Sequence, residues 1–299
     1  MIASSADDIT KAVLTEAGRT PDARQREVLL AAVRHLHAFV SEVRLTEAEF
    51  FRLVAAIARC GQMTSPSHNE VMLAAGSLGV SALVCRINND STITANQLGP
   101  FWRPDSPNTD SGASIVRSPT PGEPVLVKAE VVDVEGRPLE GAEVDVWHAS
   151  TEGFYENQDP GQADMNLRGR FVTDAAGRFE FRTVRPAGYP VPVNGPVGDL
   201  LRMQGRHNLR PAHIHFLIAK PGFKTQFAQV YSSDDENLES DVVFAVTAPL
   251  VGRYVAQAEG GWQLAQRFVL QEGESRLPVP PITGKSDGPR PQLEVLKSR

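Results

Sequence analysis

Two cysteines, Cys60 and Cys85, are all that the 299 residues contain, too few for a disulfide framework or a thiolate-rich zinc site. Both lie in apolar surroundings and read as buried, reduced thiols. Basic charge is also scarce. Thirty Lys and Arg against 36 Asp and Glu leave a net charge of −6, the reverse of the basic footprint of a nucleic-acid binder. No uninterrupted apolar run approaches the roughly 20 residues that span a bilayer. The start, Met1-Ile-Ala-Ser-Ser-Ala-Asp-Asp, lacks the basic and apolar blocks of a secretory signal. The expectation is a cytoplasmic protein with neither nucleic acid nor membrane as partner. At 41% apolar and 22% charged, it has the makeup of a globular chain long enough for about two domains.

What is present changes character near residue 100. Before it, Val28, Leu29, Ala32, Val33, Leu36, Phe39, Val40 and Val43 form one helical stripe. Thr20-Pro21 reads as an N-cap with proline at the first helical position. Thr46-Glu-Ala-Glu49 reads as a capping box ahead of Phe50, Leu53, Val54 and Ile57. A further helical stretch is expected from about His68 to Arg86. After residue 100 the apolar period becomes two. Strands are expected at Val125–Val132, Ala142–Trp147, Arg178–Val184, from His213 through Ile218, and at Asp241–Val246. The proline- and charge-rich tail after about residue 271 is expected to wrap the surface as irregular chain. The fold class is therefore α+β. A helical N-terminal domain (1–97) precedes a mainly antiparallel β-sandwich domain with long loops (98–299).

His213 and His215 stand two apart on a candidate strand, so both imidazoles face one side. Such a pair is half of many metal sites, and equally a common packing feature. Only four tyrosines occur, and two lie in Gly- or Pro-marked loops ahead of the histidines, Gly153-Phe-Tyr155 and Gly188-Tyr189-Pro190. Loop tyrosines usually pack. Yet no cysteine lies near the histidines to complete a zinc set. Two phenolates joined to two imidazoles would instead suit a hard ferric ion.

Five further stretches carry a resemblance. They are Leu98-Gly-Pro-Phe-Trp-Arg-Pro; Asp145-Val-Trp-His with Glu152-Gly-Phe-Tyr155; Arg168-Gly-Arg-Phe-Val-Thr-Asp; Tyr189-Pro-Val-Pro-Val-Asn-Gly-Pro-Val-Gly; and Gly205-Arg-His-Asn-Leu-Arg-Pro-Ala-His-Ile-His-Phe. In this order and spacing the chain resembles the intradiol ring-cleavage dioxygenases, and its helical front resembles that of the catechol-type branch. The resemblance implies a catabolic enzyme that opens a small aromatic diol with O2. It implies one non-haem Fe(III) per subunit, with Tyr155, Tyr189, His213 and His215 as ligands and Arg210 as the active-site cation. Tyr189 would also leave the metal and take a substrate proton. The substrate pocket would be formed by Leu73, Gly76, Gln97, Leu98, Gly99, Pro100, Phe101, Arg210, Val243 and Phe244. A homodimer through the N-terminal helices is implied as well, with phospholipid held there in some relatives.

Gly-Pro-Phe-Trp, Tyr-Pro-Val-Pro and Leu238-Glu-Ser-Asp-Val-Val-Phe look more like hydroxyquinol than catechol dioxygenases, with catechol the second reading. Gly76 stands where an acidic residue could meet a third hydroxyl. Room beside Gly76 and a hydrogen bond from Gln97 would have to serve instead. Two rivals come from other classes. Val127–Trp147 resembles transthyretin-like sandwiches that bind without catalysis, and extradiol cleavage would use Fe(II) with two histidines and a carboxylate.

Overall fold

The structure is a computed structural model that describes residues 4–90 and 92–298; the first three residues of the N-terminal stretch read above lie outside it. By packing, the chain forms two compact units that divide between Ala58 and Arg59. The composition boundary at 97/98 marks a different event, the change from helix to sheet.

In the first unit, α1 (Ala6–Ala17) and α2 (Ala23–Val43) are followed by the start of α3 (Glu47–Met63). The expected cap of α2 is corrected. Asp22, not Thr20, accepts from the Gln25 N–H, at 2.7 Å, because the helix begins at Ala23 and puts Asp22 at the cap position, while the Thr20 hydroxyl donates back to Ala17 O. The capping box of α3 forms as expected: the Glu49 N–H donates to Thr46 Oγ1, and Glu49 Oε2 accepts from the Thr46 N–H at 2.9 Å. The apolar stripe of α2 stays exposed, with Leu36 at 62% and Val43 at 51%.

The stretch expected as one helix from His68 is two: α4 (Glu70–Ser77) and α5 (Val80–Asn88), bent by 72°. Gly79, at φ +73°, makes the break, a left-handed backbone that a side chain would strain. Among the described residues no single helix is long and apolar enough to cross a membrane; only this bent pair, taken together, has the length and composition.

The rest is a two-sheet sandwich. Strands β1 (Pro124–Asp133), β2 (Glu143–Trp147), β3 (Arg168–Val172), β4 (Arg178–Val184), β5 (Tyr189–Pro190), β6 (Leu209–Arg210), β7 (His213–Ala219), β8 (Gln226–Ser232), β9 (Val251–Gly252), β10 (Tyr254–Ala256) and β11 (Trp262–Leu270) occur in that order, with α6 (Pro196–Gln204) between β5 and β6. One sheet runs β10-β11-β1-β4 and the other β3-β2-β7-β8-β9. Most ladders are antiparallel, but β11 returns beside β1, and β9 beside β8, in parallel. The expected strand at Asp241–Val246 is absent; that segment is a turn and loop.

The sheets meet through aromatic side chains. Phe216 of β7 lies 4.7 Å from Phe268 of β11 and 6.4 Å from Phe181 of β4, ring centre to ring centre. Alternation along β7 therefore sends Ile214, Phe216 and Ile218 inward and His213 and His215 to the opposite face. That face is covered too, so nearly all of β7 is buried. Among the described residues, the tail after Gln271 has no helix or strand, as expected.

Candidate metal centre and active-site cavity

Four polar atoms from three parts of the chain converge on the covered face of β7. Tyr155 Oη lies 3.0 Å from Tyr189 Oη, 2.9 Å from His215 Nε2 and 3.4 Å from His213 Nε2, and the two Nε2 atoms are 3.1 Å apart. Each side chain is aimed by its backbone. Tyr155 opens a 3-10 turn (Glu156–Gln158), with its N–H held by Gln158 Oε1 at 3.1 Å. Tyr189 pairs directly with Arg210 in the short β5–β6 ladder. His215 stands opposite Trp147, whose indole stacks on the imidazole at 4.7 Å. Gly99, at φ +76°, crosses over the same ring. A Cβ there would lie 3.1 Å from His215 Cε1, so only glycine suits both the backbone and the approach.

The donors fit a single metal ion. His213 Nδ1 donates to Pro211 O at 2.6 Å, which turns its Nε2 lone pair toward the centre. First-row metals bind such atoms at about 2.1 Å, so neighbouring ligands stand about 3.0–3.4 Å apart, close to the 2.9–3.4 Å of the four separations given above. Burial first, then the nearby cationic Arg210, holds the His213 imidazole well below its usual range; for His215, burial and then His213 do the same. Neutral imidazoles are the ligand form. Burial raises both phenols, and a cation is what would reverse that. Among the described residues no group of three His, Cys, Asp or Glu side chains could hold a metal, so the two-histidine, one-carboxylate centre of extradiol enzymes has no carboxylate here.

Arg210 is no surface salt bridge. It is 3% exposed, and its Nε and Nη2 donate to the two oxygens of Asp241 at 3.1 and 3.2 Å. Nη2 also reaches Gln229 Oε1 and Tyr231 Oη, while Nη1 lies 3.1 Å from His213 Nε2. Asp241, Gln229 and Tyr231 were not anticipated from sequence. Asp241 sat inside the expected strand, where a carboxylate carries no separate signal.

Beside the centre is a cavity of about 460 Å³, with Leu73, Gly76, Gln97, Leu98, Gly99, Pro100, Phe101, Tyr189, Arg210 and Val243 on its walls. Phe101 also stacks on Tyr155 at 4.4 Å. Val191, Pro192, Asn96 and Phe227 join them unanticipated. One expectation is corrected. Phe244 is not on the wall; its φ of 56° turns the ring outward, 54% exposed, beneath the Arg206 guanidinium. At Gly76 a Cβ would lie 3.1 Å from Val243 Cγ1, so a side chain there would need Val243 to give by a few tenths of an ångström. Cys60 and Cys85 are free, as expected, but half-buried rather than buried.

A buried two-tyrosine, two-histidine cluster opening onto a mostly apolar cavity is the layout of a metal-dependent enzyme for a small aromatic substrate. Residues 98–272 match the family described as "Dioxygenase", and residues 22–95 match "Catechol dioxygenase N terminus". The 6-chlorohydroxyquinol 1,2-dioxygenase of Cupriavidus pinatubonensis is 39% identical over 88% of this chain and 96% of that protein. The catechol 1,2-dioxygenase of Candida albicans is 37% identical over 81% and 82%. The crystal structure of hydroxyquinol 1,2-dioxygenase from Pseudomonas putida DLL-E4 superposes with a TM-score of 0.80 at 35% identity, covering 90% of this chain and 99% of that one. The chain belongs to the intradiol ring-cleavage dioxygenases, and it is an enzyme that opens catechol-type rings.

Proposed function

We propose that this enzyme holds one non-haem Fe(III) through Tyr155, Tyr189, His213 and His215 and acts preferentially on hydroxyquinol, benzene-1,2,4-triol. The product would be hydroxymuconate, the enol form of maleylacetate, with both atoms of O2 incorporated. The observation that carries the substrate choice is Gln97, a polar side chain on a mostly apolar cavity wall, whose buried Oε1 has no hydrogen-bond partner among the described residues. Leaving such an acceptor unpaired costs about 1–3 kcal/mol, and a turn of the amide toward the cavity would let a third ring hydroxyl satisfy it. Two relatives already cited act on hydroxyquinols by name. Catechol, giving cis,cis-muconate, is the second reading, favoured by the Candida albicans relative.

When bound, ferric iron would supply a Lewis-acidic centre for both diol oxygens and a route by which the electron-rich ring reacts with O2. The chain's own groups divide the remaining work. A diol that binds through both oxygens would lose two protons; Tyr189 Oη, whose residue reaches the cavity wall, is placed to take one, and the other would go to solvent-derived hydroxide. Tyr155 stays, clasped between Phe101 and the histidines. Arg210, pinned by Asp241, offsets negative charge building on the ring inside a water-poor pocket.

The proposal includes a homodimer joined through the N-terminal helices, supported by the exposed Leu36, Phe39 and Val43 of α2 and Phe51 and Ile57 of α3. Sedimentation at micromolar concentration should give twice the chain mass, and a monomer would overturn it. Phospholipid at that face is tested by solvent extraction and mass spectrometry. The substrate test is kcat/KM for hydroxyquinol and catechol under air, with the parent and Gln97→Leu. The parent should prefer hydroxyquinol, and Gln97→Leu should lose about 10- to 100-fold on hydroxyquinol alone, the worth of one buried contact. Faster turnover of catechol by the parent would reverse the assignment.

A further inference from the structure

The irregular tail is bonded to both tyrosine loops. On the Tyr155 side, Arg290 Nε donates to Asp159 Oδ1 at 2.7 Å and Nη1 to Glu152 Oε2 at 2.5 Å, while the guanidinium lies 5.2 Å from the Phe154 ring centre. Asp159 is buried while the Arg290 side chain is 44% exposed, so the pair is screened by solvent on one side only. The Ser286 N–H donates to Asn157 O at 2.8 Å, and Lys285 Nζ donates to Gln162 O.

On the Tyr189 side the go-between is Asn208, buried completely. The Leu296 N–H donates to its Oδ1 at 2.9 Å. Its Nδ2 donates to Glu294 O at 2.9 Å and to Val191 O at 2.7 Å. The Val191 N–H returns to Asn208 O at 2.8 Å. One amide thus joins the tail to the segment just past Tyr189. The two loops and the tail then meet at Gly153, at φ +83°. A Cβ there would lie 2.8 Å from Tyr189 Cβ and 3.5 Å from Leu293 Cδ1. Glycine lets the loops touch, and Leu293 sits at the contact.

We infer that residues 286–296 are a clamp that fixes the Tyr155 and Tyr189 loops against each other, with Arg290 and Leu293 as its positioning residues. Neither lines the cavity, so the clamp acts through the tyrosines. The phenol oxygens stand 3.0 Å apart although their side chains come from separate loops with little regular ladder of their own. Irregular chain holds such a spacing only when something outside it removes the freedom. The inference rests on the reading of both tyrosines as iron ligands.

The test uses the full chain carrying Arg290→Gln and Leu293→Ala together. Arg276→Gln is the control, since Arg276 is a tail residue 78% exposed that pairs with Glu274. In metal-free protein, amide hydrogen exchange over residues 153–162 and 189–194 should quicken about tenfold in the double variant, while β1 and β7 keep the parent's rates. In iron-loaded protein, loss of iron to a chelator should quicken about tenfold, with a shifted visible band and a lower kcat. The control should match the parent throughout. A chain ending at Lys285 should reproduce both effects, and a peptide of residues 286–298 should partly reverse them. Exchange in both loops at the parent's rate would overturn the clamp. So would a speed-up spread evenly over β1 and β7, the mark of general destabilisation. A parent that binds no iron, with loops that still loosen in the metal-free variant, would sink the iron reading and keep the clamp.

Discussion

Replacing Asp241 with alanine would leave Arg210 as a buried cation without its counter-ion. Both side chains are almost fully enclosed, at 4% and 2% exposure, so solvent does little to screen the loss. Two backbone amides lose their acceptor as well, since the Ala245 N–H lies 3.0 Å from Oδ2 and the Val243 N–H 3.4 Å from Oδ1. Gln229 Oε1 and Tyr231 Oη still receive Arg210 Nη2, but neither carries charge at neutral pH. Breaking a buried pair in this way costs about 3–5 kcal/mol. For a unit of this size each kcal/mol moves the melting midpoint by about 2–4 °C, so a fall of roughly 6–20 °C is expected. Catalysis should suffer separately. The guanidinium loses its aim and the Val243 wall loses its anchor, so kcat should fall by about 100-fold, the order seen when one electrostatic stabiliser is removed. Calorimetry on metal-free protein and steady-state oxygen uptake read the two effects. A midpoint within 2 °C of the parent with undiminished kcat would refute both the pinning role of Asp241 and the electrostatic role of Arg210.

Tyr155→Phe should lose iron or activity almost completely, whereas Tyr189→Phe should retain more metal and lose turnover, measured by metal analysis beside kcat; normal turnover in Tyr189→Phe would end its role as proton acceptor. Stability should also fall in acid through His148, whose imidazole burial pushes down from 6.5 to about 4. Its contribution is fully present above pH 6.5 and is lost as pH falls to 4, because across that window only the unfolded chain takes up the proton, an effect of about 3 kcal/mol. Urea midpoints across that range should drop less steeply for His148→Gln, and identical slopes would rule the residue out.

How much of this was legible in the sequence depended on how local the information is. The histidine pair was readable because a strand's period of two places His213 and His215 on one side whatever else surrounds them. Strands β1, β2, β4 and β7 were readable for the same reason. The tyrosines and Arg210 came through the resemblance and not through spacing, since 34 residues of chain separate Tyr155 from Tyr189 and only the fold closes that gap. What stayed hidden was non-local or set by a single dihedral angle. Phe244 faces outward because its φ is positive, and nothing in Asp241-Val-Val-Phe marks that turn. The apolar stripe of α2 has the period of a buried helix and is exposed, because periodicity reports a face to be covered and not what covers it. The bonds from the tail to Asn208 and Asp159 join positions 86 to 131 residues apart, beyond any local pattern.

The central claim is that two tyrosinates and two histidines hold ferric iron, and metal content together with the visible spectrum of the purified protein tests it most directly. Phenolate-to-Fe(III) charge transfer absorbs visible light, so the account predicts about one iron per chain and a wine-red protein. It also predicts loss of the band in Tyr155→Phe and a shift of the band when a diol is added without air. A colourless protein that is loaded with iron and fully active would contradict it.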